Sequence, residues 1–227
     1  MIVAHSKVRR CCLLNLLLIW TGTGALAQDQ FVDAPDDKPP ISAELLEQEK
    51  QIHHRVVQAW KQGKAELVRQ QLVRLLEVRR QMYPIETYPF GHAKVLNCLL
   101  DLSRVCRDLN RAEDVLNYAG QARELAGRLY PKSDFPNGHP GIAAAMIAES
   151  NGLTMLGNVA RAKSLLLAAS ESMRAYREHN PTALAAFIEA DAYKTIAMIH
   201  ELDGDFVAAS VFLKLARPLF ESYDGLS

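Results

Sequence analysis

A repeat of 47 residues constrains the fold of this chain more than any other feature of its sequence. Gly157 has counterparts at this spacing in Gly63, Asn110 and Gly204, so four residues that favour tight turns share one register. The alanines of a second register position are spaced in the same way: Ala122, Ala169 and Ala216. A fixed period of roughly 20 to 50 residues is typical of helical arrays in which each unit stacks on the next.

Apolar residues recur every three or four positions on both sides of each turn, which is the pattern of an amphipathic helix. Ser42 is placed to cap the first helix, which we expect to end near Gln62, and Pro140 occupies a favoured first helical position. Pro218 must kink or end the last helix. The sequence therefore predicts an all-α solenoid of about four helix-turn-helix units over residues 42–225, with the repeated alanines where helices approach closely.

The first 27 residues have the pattern of an export signal peptide. A basic start through Arg10 precedes the mostly apolar run Cys11–Trp20, and Ala25–Ala27 forms a small-x-small cleavage site. The alternative is an uncleaved membrane anchor, but this run of ten residues falls well short of the ~20 that span a bilayer. We therefore expect cleavage after this motif and a periplasmic or secreted protein.

Residues 28–41 contain four Asp, one Lys and three Pro with little to bury, which predicts a disordered acidic linker. The whole chain has 26 basic and 26 acidic residues. Loss of the signal removes three basic residues, which leaves 23 basic against 26 acidic and a formal charge of −3. The linker accounts for that excess, so no long-range field on the repeat domain favours nucleic acid or an anionic membrane.

The sequence offers little for catalysis or metal binding. Cys98 and Cys106, which remain after cleavage, lie eight residues apart on one predicted helix. That spacing is about 12 Å along the axis, too far for a disulfide, so we expect free, buried thiols. His92 and His139 occupy equivalent places in successive units, at least about 10 Å apart, so they should pack at unit junctions and cannot share a metal. We predict no enzyme activity, no cofactor and no metal.

Three short motifs carry a family resemblance. An alanine follows glycine five residues later at Gly157–Ala162 and Gly204–Ala209, and a second alanine follows seven residues further on. Two junction motifs recur in successive units, Tyr83-Pro84 with Tyr130-Pro131 and Gly91-His92 with Gly138-His139. The chain resembles tetratricopeptide repeat (TPR) arrays of the kinesin light chain type, and it is similar to bacterial arrays that often precede a CHAT peptidase domain.

This resemblance implies a right-handed solenoid whose first helices line a concave groove for peptides or partner helices. Arrays of the kinesin light chain type usually carry adjacent asparagines in the first helix that hold a peptide backbone. The pairs at the matching positions here are Leu100-Asp101, Ile147-Ala148 and Lys194-Thr195. These pairs argue against peptide clamping of that sort. Because the chain ends at Ser227, we also expect no peptidase domain.

Two surfaces are candidates for binding a protein or peptide partner. On each first helix, positions opposite the packing stripe face the groove, and they pass from charged to apolar toward the C-terminus. The predicted partner-binding groove comprises Asn97, Arg104, Ala148, Asn151, Met155, Asp191, Met198 and Leu202. The last helix carries apolar residues on most sides, which predicts a C-terminal interface formed by Val211, Phe212, Leu215 and Leu219.

These surfaces leave alternatives open. An ordinary solvated helix face also explains the charged part of the groove. The last helix could be covered by a partner, could pair with a second copy, or could mark a shortened relative of a longer array. We favour self-association, and a monomeric mass by light scattering at tens of micromolar would count against it.

Two functions are consistent with this pattern. The first is an exported, non-enzymatic scaffold that binds a peptide or partner protein through its repeats. The alternative is a regulatory or truncated front half of a CHAT peptidase-type system that acts with a separately encoded enzyme.

Overall fold

The computed structural model describes residues 40–224, so the predicted signal peptide and nearly all of the predicted linker lie outside the described residues. The described part is all-helical, with eight α-helices and no strand. In chain order the helices are α1 (Ala43–Lys61), α2 (Ala65–Met82), α3 (Ala93–Asp108), α4 (Ala112–Leu129), α5 (Pro140–Met155), α6 (Val159–His179), α7 (Ala183–Leu202) and α8 (Phe206–Asp224).

Four turns join the helices in pairs, and each turn contains one left-handed residue. These residues are Gly63, Asn110, Gly157 and Gly204, with φ angles of 66°, 57°, 79° and 79°. The first turn is closed by hydrogen bonds from Gly63 N to Trp60 O at 2.9 Å and from Lys64 N to Ala59 O at 3.0 Å, the two bonds of a Schellman motif. The predicted turn positions are confirmed.

The spacing of the helices shows where the chain varies between units. The second helices begin at Ala65, Ala112, Val159 and Phe206, always 47 residues apart. The first helices begin at Ala43, Ala93, Pro140 and Ala183, at steps of 50, 47 and 43 residues. The turn and the second helix therefore keep a constant step, and the segments between units absorb the differences in length.

Helix ends follow the local signals in the sequence. The Ser42 hydroxyl accepts a hydrogen bond from Leu45 N at 3.2 Å, which confirms it as the cap of α1. Pro140 is the first residue of α5, where its missing N–H costs nothing. Pro218 lies inside α8, which continues to Asp224, so ending the helix at this proline was the wrong alternative. The ring of Pro218 is exposed.

Consecutive helices pack against one another along the whole described chain, and among the first helices α5 also contacts α3 and α7 directly. This arrangement is compatible with a helical solenoid. Ala122 and Ala169 are completely buried and Ala216 nearly so, which confirms the expected close approach at that register. Cys98 and Cys106 are buried free thiols, also as predicted.

Helix α5 is the most enclosed element, because it packs on α3, α4, α6 and α7. Its glycine at position 152 lets α4 come close. A Cβ atom there would lie 2.7 Å from Leu116 Cδ2 and 3.1 Å from Val115 Cγ1. Burial on several sides explains why α5 is apolar around most of its circumference and shows no clear polar face.

None of the helices in the described part of the chain is both long and apolar enough to span a bilayer.

Candidate binding groove of the first helices

The predicted groove residues lie on accessible sides of α3, α5 and α7. Six of the eight are half-buried: Asn97, Arg104, Ala148, Asn151, Met155 and Asp191. Met198 and Leu202 are exposed, at 51% and 78% of their full accessible area. Because α5 contacts both α3 and α7, these residues lie on neighbouring helices. Their role in binding stays a prediction.

The part of the groove on α3 is polar and already internally paired. Arg104 Nη1 donates to Asp101 Oδ1 at 3.3 Å. Burial raises the pKa of the Asp101 carboxyl, and the neighbouring Arg104 guanidinium opposes that rise. On α7, Lys194 Nζ lies 3.4 Å from Asp191 Oδ1 in a more exposed pair. Charged groups of both signs are therefore available to a partner at these two places.

The part of the groove at the C-terminal ends of α5 and α7 is apolar and compliant. Ala148 keeps the α5 surface low, so the backbone of a partner could come close. Met155 lies at the C-terminal end of α5 and is followed by the exposed Leu156, while Met198 and Leu202 lie toward the C-terminal end of α7. Methionine is unbranched and flexible, so it can adapt to differently shaped apolar groups. This combination suits an apolar face of a peptide or helix.

The four residues of the predicted C-terminal interface point to two sides of α8. Val211 and Leu215 are exposed. Phe212 and Leu219 are half-buried and pack on the core, and the Phe212 ring is stacked on His200 with centroids 5.7 Å apart. Only Val211 and Leu215 therefore offer substantial free surface. With Val207, which is 79% exposed, they form an apolar stripe along α8.

The face that a further unit would cover is more polar than this stripe. Lys194 stands at the register of Ile147, and Arg217 stands at the register of Ser170. Ile147 and Ser170 are buried, whereas Lys194 and Arg217 are exposed. Charged, exposed residues thus stand in the last helix pair where the preceding pair has buried ones. Sequence reasoning did not separate the face with Lys194 and Arg217 from the exposed apolar stripe of α8.

Sequence reasoning also missed a buried glutamate at the first interface between units. Glu49 of α1 accepts from Arg79 Nε of α2 at 2.9 Å and lies 3.4 Å from Lys94 Nζ of α3. Burial by itself raises the pKa of Glu49, but the charges of Arg79 and Lys94 outweigh it, so the pKa is lowered overall. The cluster connects the first helix pair to the second.

The other two interfaces contain the same kind of cluster. Glu149 of α5 contacts Arg123 Nη1 of α4 at 2.7 Å and Arg161 Nη2 of α6 at 2.9 Å. Glu189 of α7 lies 3.0 Å from Arg177 Nη2 of α6. Glu149 and Glu189 each interrupt an apolar stretch of helix, which was the available signal, whereas Glu49 lies among polar residues of α1. Satisfied charges of this kind can fix how neighbouring units align.

The two repeated histidines cap helices at the unit junctions. His92 Nδ1 accepts from Lys94 N at 3.1 Å, and His139 Nδ1 accepts from Gly141 N at 3.1 Å. Each ring is stacked on a tyrosine from the preceding unit, Tyr83 at 3.6 Å and Tyr130 at 3.4 Å between centroids. The predicted packing at junctions is confirmed. Burial lowers the pKa of His139 to about 4.

Comparison with known proteins assigns no family to this chain. A scan of the chain against protein-family models gives no match, and a search of curated proteins gives none either. Among the described residues, His, Cys, Asp and Glu side chains form no group of three placed to hold a metal ion.

Proposed function

We propose that this chain is an exported scaffold that binds a peptide or partner protein through TPR-like repeats. In this proposal the four helix pairs form a right-handed solenoid with a 47-residue period, and residues 1–27 direct export. The first helices form the inner surface, and the groove residues on α3, α5 and α7 contact the partner.

The observation that carries the proposal is the unequal packing of the two sets of helices. The first helix α5 contacts the first helices α3 and α7 directly. The second helices α2 and α4 are bridged by long side chains: Arg80 Nη2 donates to Gln121 Oε1 at 2.7 Å, and Arg111 Nη2 lies 3.2 Å from Glu66 Oε2. An array whose helices pack more closely on one side curves toward that side, which supports a concave surface on the first helices.

The chemistry of that surface indicates what kind of partner fits. Met198 and Leu202 offer exposed apolar contacts, while the Asp101–Arg104 pair on α3 offers charge. An amphipathic helix or an extended peptide could place an apolar segment on α5 and α7 and a charged segment on α3. Binding would bury methionine and leucine side chains that now face solvent, which supplies the favourable free energy.

A comparison of immobilised variants tests the proposal. The mature chain, Met198→Asp and Arg104→Glu are each used to capture partners from the compartment to which the protein is exported. We expect both variants to reduce the amount of the main captured protein by about fivefold or more, because a central contact contributes more than ~1 kcal/mol. The captured protein is identified by mass spectrometry, and its affinity is measured by calorimetry.

Two controls make the same chemical changes on the second helices. Leu167→Asp alters an exposed leucine of α6, and Arg74→Glu alters an exposed arginine of α2. Both should retain normal capture. If the groove variants and these controls lose binding equally, or if the groove variants lose none, the first helices do not form the binding surface.

A further inference from the structure

A cleft of about 460 Å³ opens where the first unit meets the second. The end of α2 and residues 84–92 form one side, and α4 forms the other. The residues of α4 that line the cleft lie on a single face of that helix, at spacings of three and four residues: Gln121, Glu124, Leu125 and Arg128. This volume falls within the range of sites that hold small ligands or a short piece of peptide.

The cleft has an apolar floor and a charged rim. Val95, Leu99 and Leu125 line it from the core and are themselves buried, so the floor is part of the packed interior. Arg80 and Arg128 line it from opposite sides, Glu86 and Glu124 also line it, and all four are exposed. An apolar group that entered the cleft would move out of water and cover the apolar floor, while its polar end stayed near the guanidinium groups of Arg80 and Arg128.

The two arginines differ in their partners. Arg128 Nη1 pairs with Glu124 Oε1 at 2.9 Å. Arg80 Nη2 donates to the neutral amide oxygen of Gln121 at 2.7 Å, and no carboxylate of the described residues lies within ion-pair distance of its guanidinium. Gln121 therefore holds Arg80 in place without neutralising its charge. A guanidinium has five N–H donors in a fixed fork, so Arg80 retains donors suited to a carboxylate.

The second junction provides an internal comparison. Its backbone repeats the first one: Tyr88 N donates to Pro84 O at 2.8 Å, and Phe135 N donates to Pro131 O at 2.9 Å. The polar lining is not repeated. At the register of Arg80, Gln121 and Arg128, 47 residues later, the chain carries Gly127, Ala168 and Ala175. The junction therefore folds without these polar side chains, which leaves the first set free for another role.

We propose that this cleft binds an apolar group that ends in a carboxylate. Arg80 receives the carboxylate, and Val95, Leu99 and Leu125 receive the apolar body. Arg128 closes the opposite side through its aliphatic stem and its pair with Glu124. Such a ligand is either a free organic acid or the C-terminal residue of a peptide chain. This site lies at the ends of α2 and α4, apart from the groove of the first helices.

Three probes test the site and separate the two sources. N-acetyl-Phe-Leu with a free carboxylate represents a chain end, its C-terminal amide is the matched neutral form, and 4-phenylbutyrate represents a free acid. Binding at millimolar concentration is followed by two-dimensional NMR of the backbone amides of Gly91, His92 and Leu125. We expect an acid to bind on the order of tenfold more tightly than its neutral amide, because the charge-assisted bond to Arg80 is lost with the charge.

Variants assign the effect to Arg80. Arg80→Ala should remove the preference for the acid over the amide, whereas Arg74→Ala, an exposed arginine on the same helix outside the cleft, should keep it. Both variants should unfold at nearly the parent temperature, because both side chains are exposed. Tighter binding of the dipeptide acid indicates a chain end, and tighter binding of 4-phenylbutyrate indicates a free acid. Equal binding of acid and amide, no binding of any probe, or an unchanged preference in Arg80→Ala would overturn the proposal.

Discussion

Acidification from about pH 7.5 to pH 5 is expected to remove about 2 kcal/mol of the stability that depends on His139. Burial lowers the pKa of this ring from 6.5 to about 4 in the folded chain. The unfolded chain therefore takes up a proton near pH 6.5, while the folded chain resists it down to about pH 4. Protonation favours the unfolded state between these values, so stability falls as the pH falls through this window.

The contacts of His139 explain why its ring resists protonation in the folded chain. His139 Nδ1 accepts the Gly141 N–H as the cap of α5, and a ring protonated on that nitrogen could not accept it. The ring is also stacked on Tyr130 and meets the edge of Tyr176 at 6.2 Å between centroids. Protonation of His139 in the folded chain would thus break the hydrogen bond from Gly141 N and place a charge where water cannot hydrate it well.

His139→Asn isolates the effect, because asparagine can still cap a helix but does not titrate. The free energies of unfolding of the parent and the variant are measured by urea denaturation at several pH values. Their difference should shrink by about 2 kcal/mol from pH 7.5 to pH 5 and stay constant above pH 7.5. A difference independent of pH would show that His139 protonates equally easily in the folded chain.

Ala169→Arg is expected to destabilise the fold by more than about 3 kcal/mol, and to lower the melting temperature by roughly 10 °C. The Ala169 side chain is completely buried in the core between the third and fourth units. Arginine would overpack this position and would also bring an unpaired charge into the interior. The two costs add, so the loss should exceed that of an ordinary core enlargement.

Ala144→Arg is the matched control. Ala144 is half-buried on α5, and an arginine there can extend toward solvent with little change in helix propensity. Its melting temperature should stay within about 2 °C of the parent, in line with typical surface substitutions. Thermal unfolding followed by circular dichroism measures both variants. Equal losses at the two positions would refute the assignment of buried and accessible faces.

Local signals accounted for most of the secondary structure. Gly63 and Asn110 end their helices because they adopt left-handed backbone at little cost, and Ser42 caps α1 through its own hydroxyl. These effects involve residues within a few positions of each other. For the same reason, the buried alanines could be placed from their register, since a short helix pair repeated at constant spacing must pack through the same positions.

Interactions between distant residues were not predictable in this way. Glu49 meets Arg79 and Lys94, which are 30 and 45 residues away in the chain. In sequence Glu49 lies between Gln48 and Lys50, so nothing near it distinguishes it from a solvated glutamate. The division of α8 into an inner side with Phe212 and an outer side with Val211 likewise depended on where α7 packs. The cleft beside Arg80 required the positions of two helices and the segment between them.

The sequence by itself determined the number of helix pairs, the positions of their turns and the residues at which helices approach, because each depends on local backbone preference and a repeated apolar pattern. The tertiary structure decided which charges are buried together, which side of the last helix is free, and where the surface opens into a cleft. Those features depend on side chains that only the packing of successive units brings within a few ångströms of each other.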